Sequence, residues 1–281
     1  MKILLFGHQG MLGSAIFSQL GRKYEIIGLD KDEIDIVSAA RCKKAIDDHD
    51  PDIIINAAAY TNVDGCEANK ADCYNVNAEA LKNIADAGRK KNIHIIHFST
   101  DYVFDGQGHE PYKEDHPCNP INVYGASKLA GERYLQDLSK NYLLIRTAWL
   151  YGINGSSFVR TIMEKIRVTN KLEVVDDQIG SPTYTKDLTL AVDLLIGCKA
   201  RGIFHITNRG SCSWYQFAMK ILQEAGITGV EVTPIKSDKL IRPAKRPTYS
   251  VLSVRKFMSV TGKTMQPWQL ALQDYLKSIK H

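Results

Sequence analysis

Five short runs of consecutive apolar residues constrain this chain more than any other feature: KILLFG (2–7), YEIIGLD (24–30), DIIINAA (52–58), IHIIHFS (93–99) and YLLIRTA (142–148). They are rich in Ile and Leu and lack in–out alternation. That is the pattern of strands buried on both faces of a parallel sheet. Helical periodicity fills the gaps, at 11–21, 38–49, 71–91 and 122–140. Strand–helix alternation of this kind predicts a doubly wound α/β sheet.

After about residue 150 the pattern loosens. Helices are expected at 156–168, 185–197, 213–225 and 267–280, and short strands at LEVV (172–175), IFHIT (203–207) and VEVTP (230–234). The chain therefore divides near residue 150 into a regular first part and a smaller α/β lobe over 151–281, with part of the later chain returning to the first sheet. The stretch DGQGHEPYKEDHPCNP (105–120) is a long loop. In a compact domain such a loop is more often functional than idle.

Composition removes several classes of function. Hydrophobic residues make up 44% and charged residues 24% of the 281, an ordinary balance for a globular protein. The longest apolar runs fall far short of the roughly 20 residues of a membrane helix, so no membrane partner is expected. The opening MKILLFG reads as a buried strand rather than an export signal, which makes the cytoplasm the expected location. The six cysteines have no CxxC spacing and are expected as free thiols. His94 and His97 lie three apart on a strand and point to opposite faces, so no metal is expected there. The net charge of +5 is dispersed except for Arg242–Arg246. Nucleic acid would call for a longer basic stripe with interleaved aromatics. A small anion such as a nucleotide needs only one or two arginines, here Arg242 and Arg246.

The first strand runs into GHQGMLG, with Gly7, Gly10 and Gly13 three residues apart. A glycine turn between a first strand and a first helix lets the backbone approach a pyrophosphate, and the helix N-terminus offers unpaired N–H groups. The spacing is GxxGxxG rather than the usual GxGxxG. This turn and the strand pattern together predict a Rossmann-type sheet holding a nicotinamide dinucleotide. Asp30, at the end of the second strand, suits an adenosine ribose and favours NADH. Lys31 beside it suits a 2′-phosphate and NADPH, so the cofactor is left as NADPH or NADH. Small residues close the third strand in NAAAYT, and the polar group Ser99-Thr100-Asp101 closes the fourth. Ligands of such sheets bind at these carboxyl ends.

NVYGASKLAGE (122–132) places Tyr124 and Lys128 four residues apart, on one face of a helix. Among 13 tyrosines one such spacing is what chance supplies, so the pair gains meaning only from its setting. GxxGMLG, NAAAYTNVDGCE, STDYVFDG and VYGASKLAGE follow in order, and RTAWLYG, DQIGSPTYTKDL and RPTYSVL come later. Together they resemble the extended short-chain dehydrogenase/reductases, and within them the dTDP-4-dehydrorhamnose reductase family, over nearly the whole chain.

The resemblance implies reduction of the C4 keto group of a dTDP-sugar. Tyr124 would donate the proton, Lys128 would support it and bind the nicotinamide ribose, and Thr100 would orient the carbonyl. A neighbouring ammonium would lower the phenol's pKa and ease proton donation. By the same likeness Gly7, Gly10, Met11, Leu12, Asp30, Asp35, Ile36, Ala59, Tyr60 and Thr61 would hold the cofactor, with Tyr124 and Lys128. Thr100, Asp101 and Trp149 would meet substrate. Some members of the family are homodimers with a metal near the interface. No acidic cluster here compels such a site, and the oligomeric state is left open. Two alternatives stand beside this reading. One is another nucleotide-sugar reductase, epimerase or dehydratase, the last disfavoured because Tyr102 stands where a dehydratase carries glutamate. The other is a non-catalytic nucleotide-binding subunit resembling the β subunit of methionine adenosyltransferase.

Overall fold

Six strands form one parallel sheet: β1 (Lys2–Phe6), β2 (Glu25–Leu29), β3 (Ile53–Asn56), β4 (His94–Thr100), β5 (Tyr142–Thr147) and, far along the chain, β10 (Gly202–His205). Their spatial order is β10-β5-β4-β3-β1-β2, every neighbouring pair parallel. The order reverses between β1 and β3, which opens a crevice at the carboxyl ends of those strands. The computed structural model describes residues 1–279.

Helices cover both faces. On one side lie α1 (Met11–Leu20), α8 (Thr185–Gly197) and α10 (Arg255–Thr261). They bury Leu12, Ile16, Leu188, Val192 and Phe257 against Ile3, Ile55, Ile96 and Ile145. On the other lie α2 (Ala39–His49), α5 (Ala80–Arg89) and α6 (Val123–Leu138), burying Ile46, Leu81, Ile84 and Leu135 against Leu4, Ile54, Ile95 and Leu144. Strand residues alternate between the two clusters, which is why the strands carry no polar face.

The second lobe has its own core around Tyr151, Tyr184, Phe217, Trp268 and Leu272. It comprises α7 (Phe158–Lys165), α9 (Trp214–Ala225), α11 (Trp268–Ile279) and the parallel pair β7 (Lys171–Val175) with β12 (Glu231–Ile235). Two-stranded pairings join its loops: β6 (Leu150–Tyr151) with β9 (Thr183–Tyr184), and β8 (Ile179–Gly180) with β11 (Cys212–Ser213). The helix expected over 267–280 is α11, and residue 280 lies outside the described residues.

Two expectations need correction. The helix read over 71–91 runs unbroken from Lys70 to Arg89, as α4 (Lys70–Tyr74), a π-helical turn at Asn75–Glu79, and α5, but an unexpected helix, α3 (Val63–Ala68), precedes it. Asn62 caps α3, accepting a hydrogen bond from Gly65 N, so the helical region starts eight residues early. The loop 105–120 is not a free element. Tyr112 N donates to Val251 O, His205 N to Glu114 Oε1, and Arg146 Nη1 to Glu114 O. Tyr112 is itself buried with Val103, Phe104, Leu129 and Leu252. No residue of 105–120 lines the main cavity; the loop braces the scaffold beneath it.

Candidate active site

A cavity of about 950 Å³ lies over the carboxyl ends of β1, β3, β4 and β5. Its lining includes the residues that the resemblance assigns to cofactor and substrate. Gly7, Gly10, Met11 and Leu12 come from the glycine turn, and Asp30, Asp35 and Ile36 from the segment after β2. Ala59, Tyr60 and Thr61 follow β3; Thr100 and Asp101 end β4; Tyr124 and Lys128 come from α6, and Trp149 follows β5.

The glycine end is built for close approach. Gly7 has φ +80°, and a Cβ there would sit 2.7 Å from Ala58 N. A Cβ on Gly13 would sit 1.9 Å from Gly7 O, so only glycine lets α1 start this near the turn. The N-cap of α1 is Gly10, which provides no side-chain cap. The first N–H groups of the helix are thus left for an anion. Asp30 accepts from Gln9 N at 2.9 Å and from Lys31 N at 2.8 Å, which ties the turn to the end of β2. These features fit the phosphates and adenosine of a dinucleotide, and the cavity's size accommodates one.

At the other end, Asn122 caps α6 by accepting from Gly125 N at 2.8 Å. Asn122 Nδ2 also donates to Lys245 O at 2.8 Å, which fixes the start of the helix against the second lobe. Tyr124 is thereby held in its first turn. Burial pushes its phenol well above the usual tyrosine range, the Thr100 side chain pulls it down, and Asp101 pushes it up again. Thr100 has two local bonds: Oγ1 accepts from Tyr102 N at 3.1 Å and donates to Asp101 Oδ1 at 3.0 Å. Burial pushes the Asp101 carboxyl up to about 6, against the pull of the Ser250 and Thr100 side chains. Its Oδ2 is buried with no hydrogen-bond partner among the described residues.

Lys128 departs from the simple expectation of a lysine aimed at the phenol. Its Nζ donates to Phe98 O at 2.6 Å and lies 3.2 Å from His97 Nε2. Burial lowers it to about 8, although Glu132 and Cys73 favour the charge. The side chain is 2% exposed. The Phe98 carbonyl, within β4, is the acceptor that holds it. The cation is therefore anchored to the sheet.

Four further residues matter that pattern reading passed over for this role. Asn77, in the π-helical turn, accepts from Tyr60 N at 2.9 Å and donates to Tyr60 O at 3.1 Å and to Ser127 Oγ at 3.0 Å. It clamps the NAAAYT end of β3 to the helix carrying Tyr124. Tyr102 lines the cavity with its ring edge-on to Tyr124, centroids 5.9 Å apart. Trp214 lines it as well and stacks on Trp149 at 3.4 Å, from 65 residues downstream. Its one local signal is the Ser213–Gln216 capping box, which starts α9 at Trp214. His97 lies behind Lys128, while His94 bonds Asn141 on the opposite face.

The arginines expected to meet a small anion, Arg242 and Arg246, do not line the cavity. Arg246 is paired with Asp64, Nη2 to Oδ2 at 2.8 Å, so its charge is neutralised. Arg242 is exposed. Cys66 and Cys73 are free thiols with their sulfurs 2.6 Å apart, buried beside Ser127.

A family described as the RmlD substrate binding domain matches residues 1–281. The spore coat polysaccharide biosynthesis protein SpsK of Bacillus subtilis is 39% identical over 98% of this chain and 97% of its own length. A dTDP-4-dehydrorhamnose reductase from Clostridium acetobutylicum superposes with a TM-score of 0.96 at 40% identity, covering 100% of both chains. The same enzyme from Bacillus anthracis, solved in complex with NADP, gives 0.95 at 36% identity and covers 99% of both chains. The chain therefore belongs to the RmlD substrate binding domain family, that of the dTDP-4-dehydrorhamnose reductases.

Proposed function

We propose that this chain reduces the C4 keto group of dTDP-4-dehydro-L-rhamnose with NADPH or NADH, giving dTDP-L-rhamnose for surface polysaccharide synthesis. One observation carries the reading: Tyr124, Thr100, Asp101 and Lys128 line the same cavity as the glycine turn. A relative's complex with NADP and another relative's polysaccharide role support it.

The glycine turn, Asp30 and the Ala59–Thr61 segment would hold the dinucleotide. When bound, that cofactor supplies a hydride to the carbonyl carbon. Tyr124 holds its proton at neutral pH because burial disfavours the phenolate. It is a loaded donor for the oxygen that gains charge. Thr100 couples Tyr124 to the end of β4 and orients the carbonyl. Asp101 offers the unpartnered Oδ2 to a sugar hydroxyl. Trp149 and Trp214 supply a stacked aromatic wall for the apolar face of the sugar. Residues 1–150, with α8 and β10, serve as the cofactor-binding part, and most of 151–281 as the substrate lobe. The enzyme works in the cytoplasm, where nucleotide sugars and reduced nicotinamides are made. No described helix is long and apolar enough to cross a membrane.

The test mixes the protein with NADPH or NADH and dTDP-4-keto-6-deoxy-L-mannose and follows the nicotinamide absorbance. Cofactor oxidation matched one for one by formation of dTDP-L-rhamnose is expected. Folded protein that binds the cofactor without oxidising it would overturn the reading in favour of a non-catalytic nucleotide-binding subunit.

A further inference from the structure

Behind Lys128 lies a polar string that the reaction as described does not use. Ala58 N donates to Asn56 Oδ1 at 3.2 Å, which sets the orientation of the Asn56 amide. Asn56 Nδ2 then faces His97 Nδ1 at 3.3 Å, and His97 Nε2 faces Lys128 Nζ at 3.2 Å. The sheet register brings Asn56 and His97 side by side on β3 and β4. Asn56 and His97 are each 1% exposed, so bulk solvent does not reach them.

Counting protons along the string gives a definite result. An Asn56 N–H pointing at Nδ1 requires an acceptor there, so a neutral imidazole carries its proton on Nε2. That N–H points at Lys128. If Lys128 is an ammonium, two donors face each other. If it is a neutral amine, its lone pair accepts and every bond is made. Moving the imidazole proton to Nδ1 repairs the Lys128 contact but sets two donors together at Asn56. Flipping the Asn56 amide only transfers the conflict to Ala58 N–H. His97 cannot escape by protonating, because burial and then the Lys128 charge hold it far below the ordinary histidine range. One hydrogen bond of the string is therefore lost whenever Lys128 carries its third proton, and a buried polar group left unpaired is costly.

We propose that His97, held by Asn56, is a positioning residue for the reductase reaction: it fixes the Lys128 Nζ against the end of β4 and weakens that nitrogen's hold on its third proton. The inference rests on the reductase reading for its purpose, since only there does the charge on Lys128 have a task beside Tyr124. The groups that face Lys128 are Glu132 from its own helix, already paired with Arg146 of β5, Cys73 from α4, and His97 from β4. Glu132 and Cys73 favour the cation, so the opposing influences are burial and the string.

The test combines a titration with a variant. In the unaltered protein labelled with ¹⁵N-histidine, His97 should stay neutral and change tautomer with a midpoint that follows Lys128, near pH 8. Nitrogen shifts that are flat from about pH 6 to 10, or that show an imidazolium within that range, would overturn the proposal. His97→Gln can turn a carbonyl oxygen to Nζ and should move the high-pH limb of kcat/KM upward by about one pH unit. It should retain turnover within about threefold, whereas His97→Leu should lose at least about tenfold. A folded His97→Gln enzyme with an unmoved limb would also overturn it. If the protein oxidises no cofactor at all, the reductase reading fails, and the nitrogen titration still decides the role of His97.

Discussion

Arg146 of β5 and Glu132 of α6 form a buried two-point ion pair, with Nη2 to Oε2 at 2.7 Å and Nε to Oε1 at 3.0 Å. Their side chains are 3% and 0% exposed. The pair fastens the helix carrying Tyr124 and Lys128 to the sheet. Arg146 also holds Glu114 O of the long loop and lies over the Phe104 ring.

Removing one partner leaves a buried charge unpaired. Glu132→Ala should therefore cost about 3–5 kcal/mol of stability, read from the denaturant midpoint. Replacing both with apolar residues of similar volume, Glu132→Leu with Arg146→Met, should restore much of that loss. A double variant as unstable as the single one would show that the helix depends on the hydrogen bonds themselves.

Tyr124→Phe removes the proton donor and keeps the ring against Tyr102. Cofactor affinity should stay near that of the unaltered protein, while turnover falls by about 10²-fold or more. Thr100→Val is less clean than it looks from the sequence, because Thr100 Oγ1 also caps the turn at Asp101–Val103. It should lose turnover together with about 1 kcal/mol of stability. Thr100→Ser keeps both bonds and should recover both losses. Recovery of stability without turnover would remove Thr100 from the chemistry.

Trp149 has φ +47°, in the left-handed region, which costs a bulky residue on the order of 1–2 kcal/mol. Stacking on Trp214 repays part of that and is worth about 0.5–1.5 kcal/mol. Trp214→Leu should loosen the aromatic wall and raise the KM of the nucleotide sugar by roughly two- to tenfold. Cofactor affinity should hardly change. Equal losses for sugar and cofactor, measured by separate titrations, would place Trp214 in general packing.

These residues mark how far the sequence could be read. The parallel strands were legible because burial on both faces leaves an unbroken apolar run, as in Ile53-Ile54-Ile55. The cavity lining was legible because residues at strand ends and at the start of α1 are placed by local geometry. What stayed hidden depends on partners far away in the chain. Arg246 reads as a free cation until Asp64, 182 residues earlier, is seen beside it. Trp214 reaches the site only through the packing of the second lobe. The π-helical turn at 75–79 escaped because Asn77 there meets Tyr60 and Ser127, contacts that periodicity does not encode.

Asp101 gives a prediction about pH. Its carboxyl is 2% exposed and sits at about 6 in the folded protein, against 3.8 as the ordinary value. Between those values the folded state holds a proton that the unfolded chain has released. The slope of unfolding free energy with pH follows protons bound when unfolded minus protons bound when folded, so here it is negative. Asp101 thus lowers stability as pH rises from about 4 to 6, by roughly 3 kcal/mol in total. Paired carboxylates such as Asp64, held low by Arg246, contribute the opposite slope, so the effect must be isolated by difference. Asp101→Asn removes the titration while keeping the shape. Relative to the unaltered protein it should gain stability progressively between about pH 4 and 6 and then hold a constant advantage. Parallel stability curves for the two proteins across that window would show that Asp101 is already ionised at low pH, and that its unpartnered oxygen is better solvated than the structure places it.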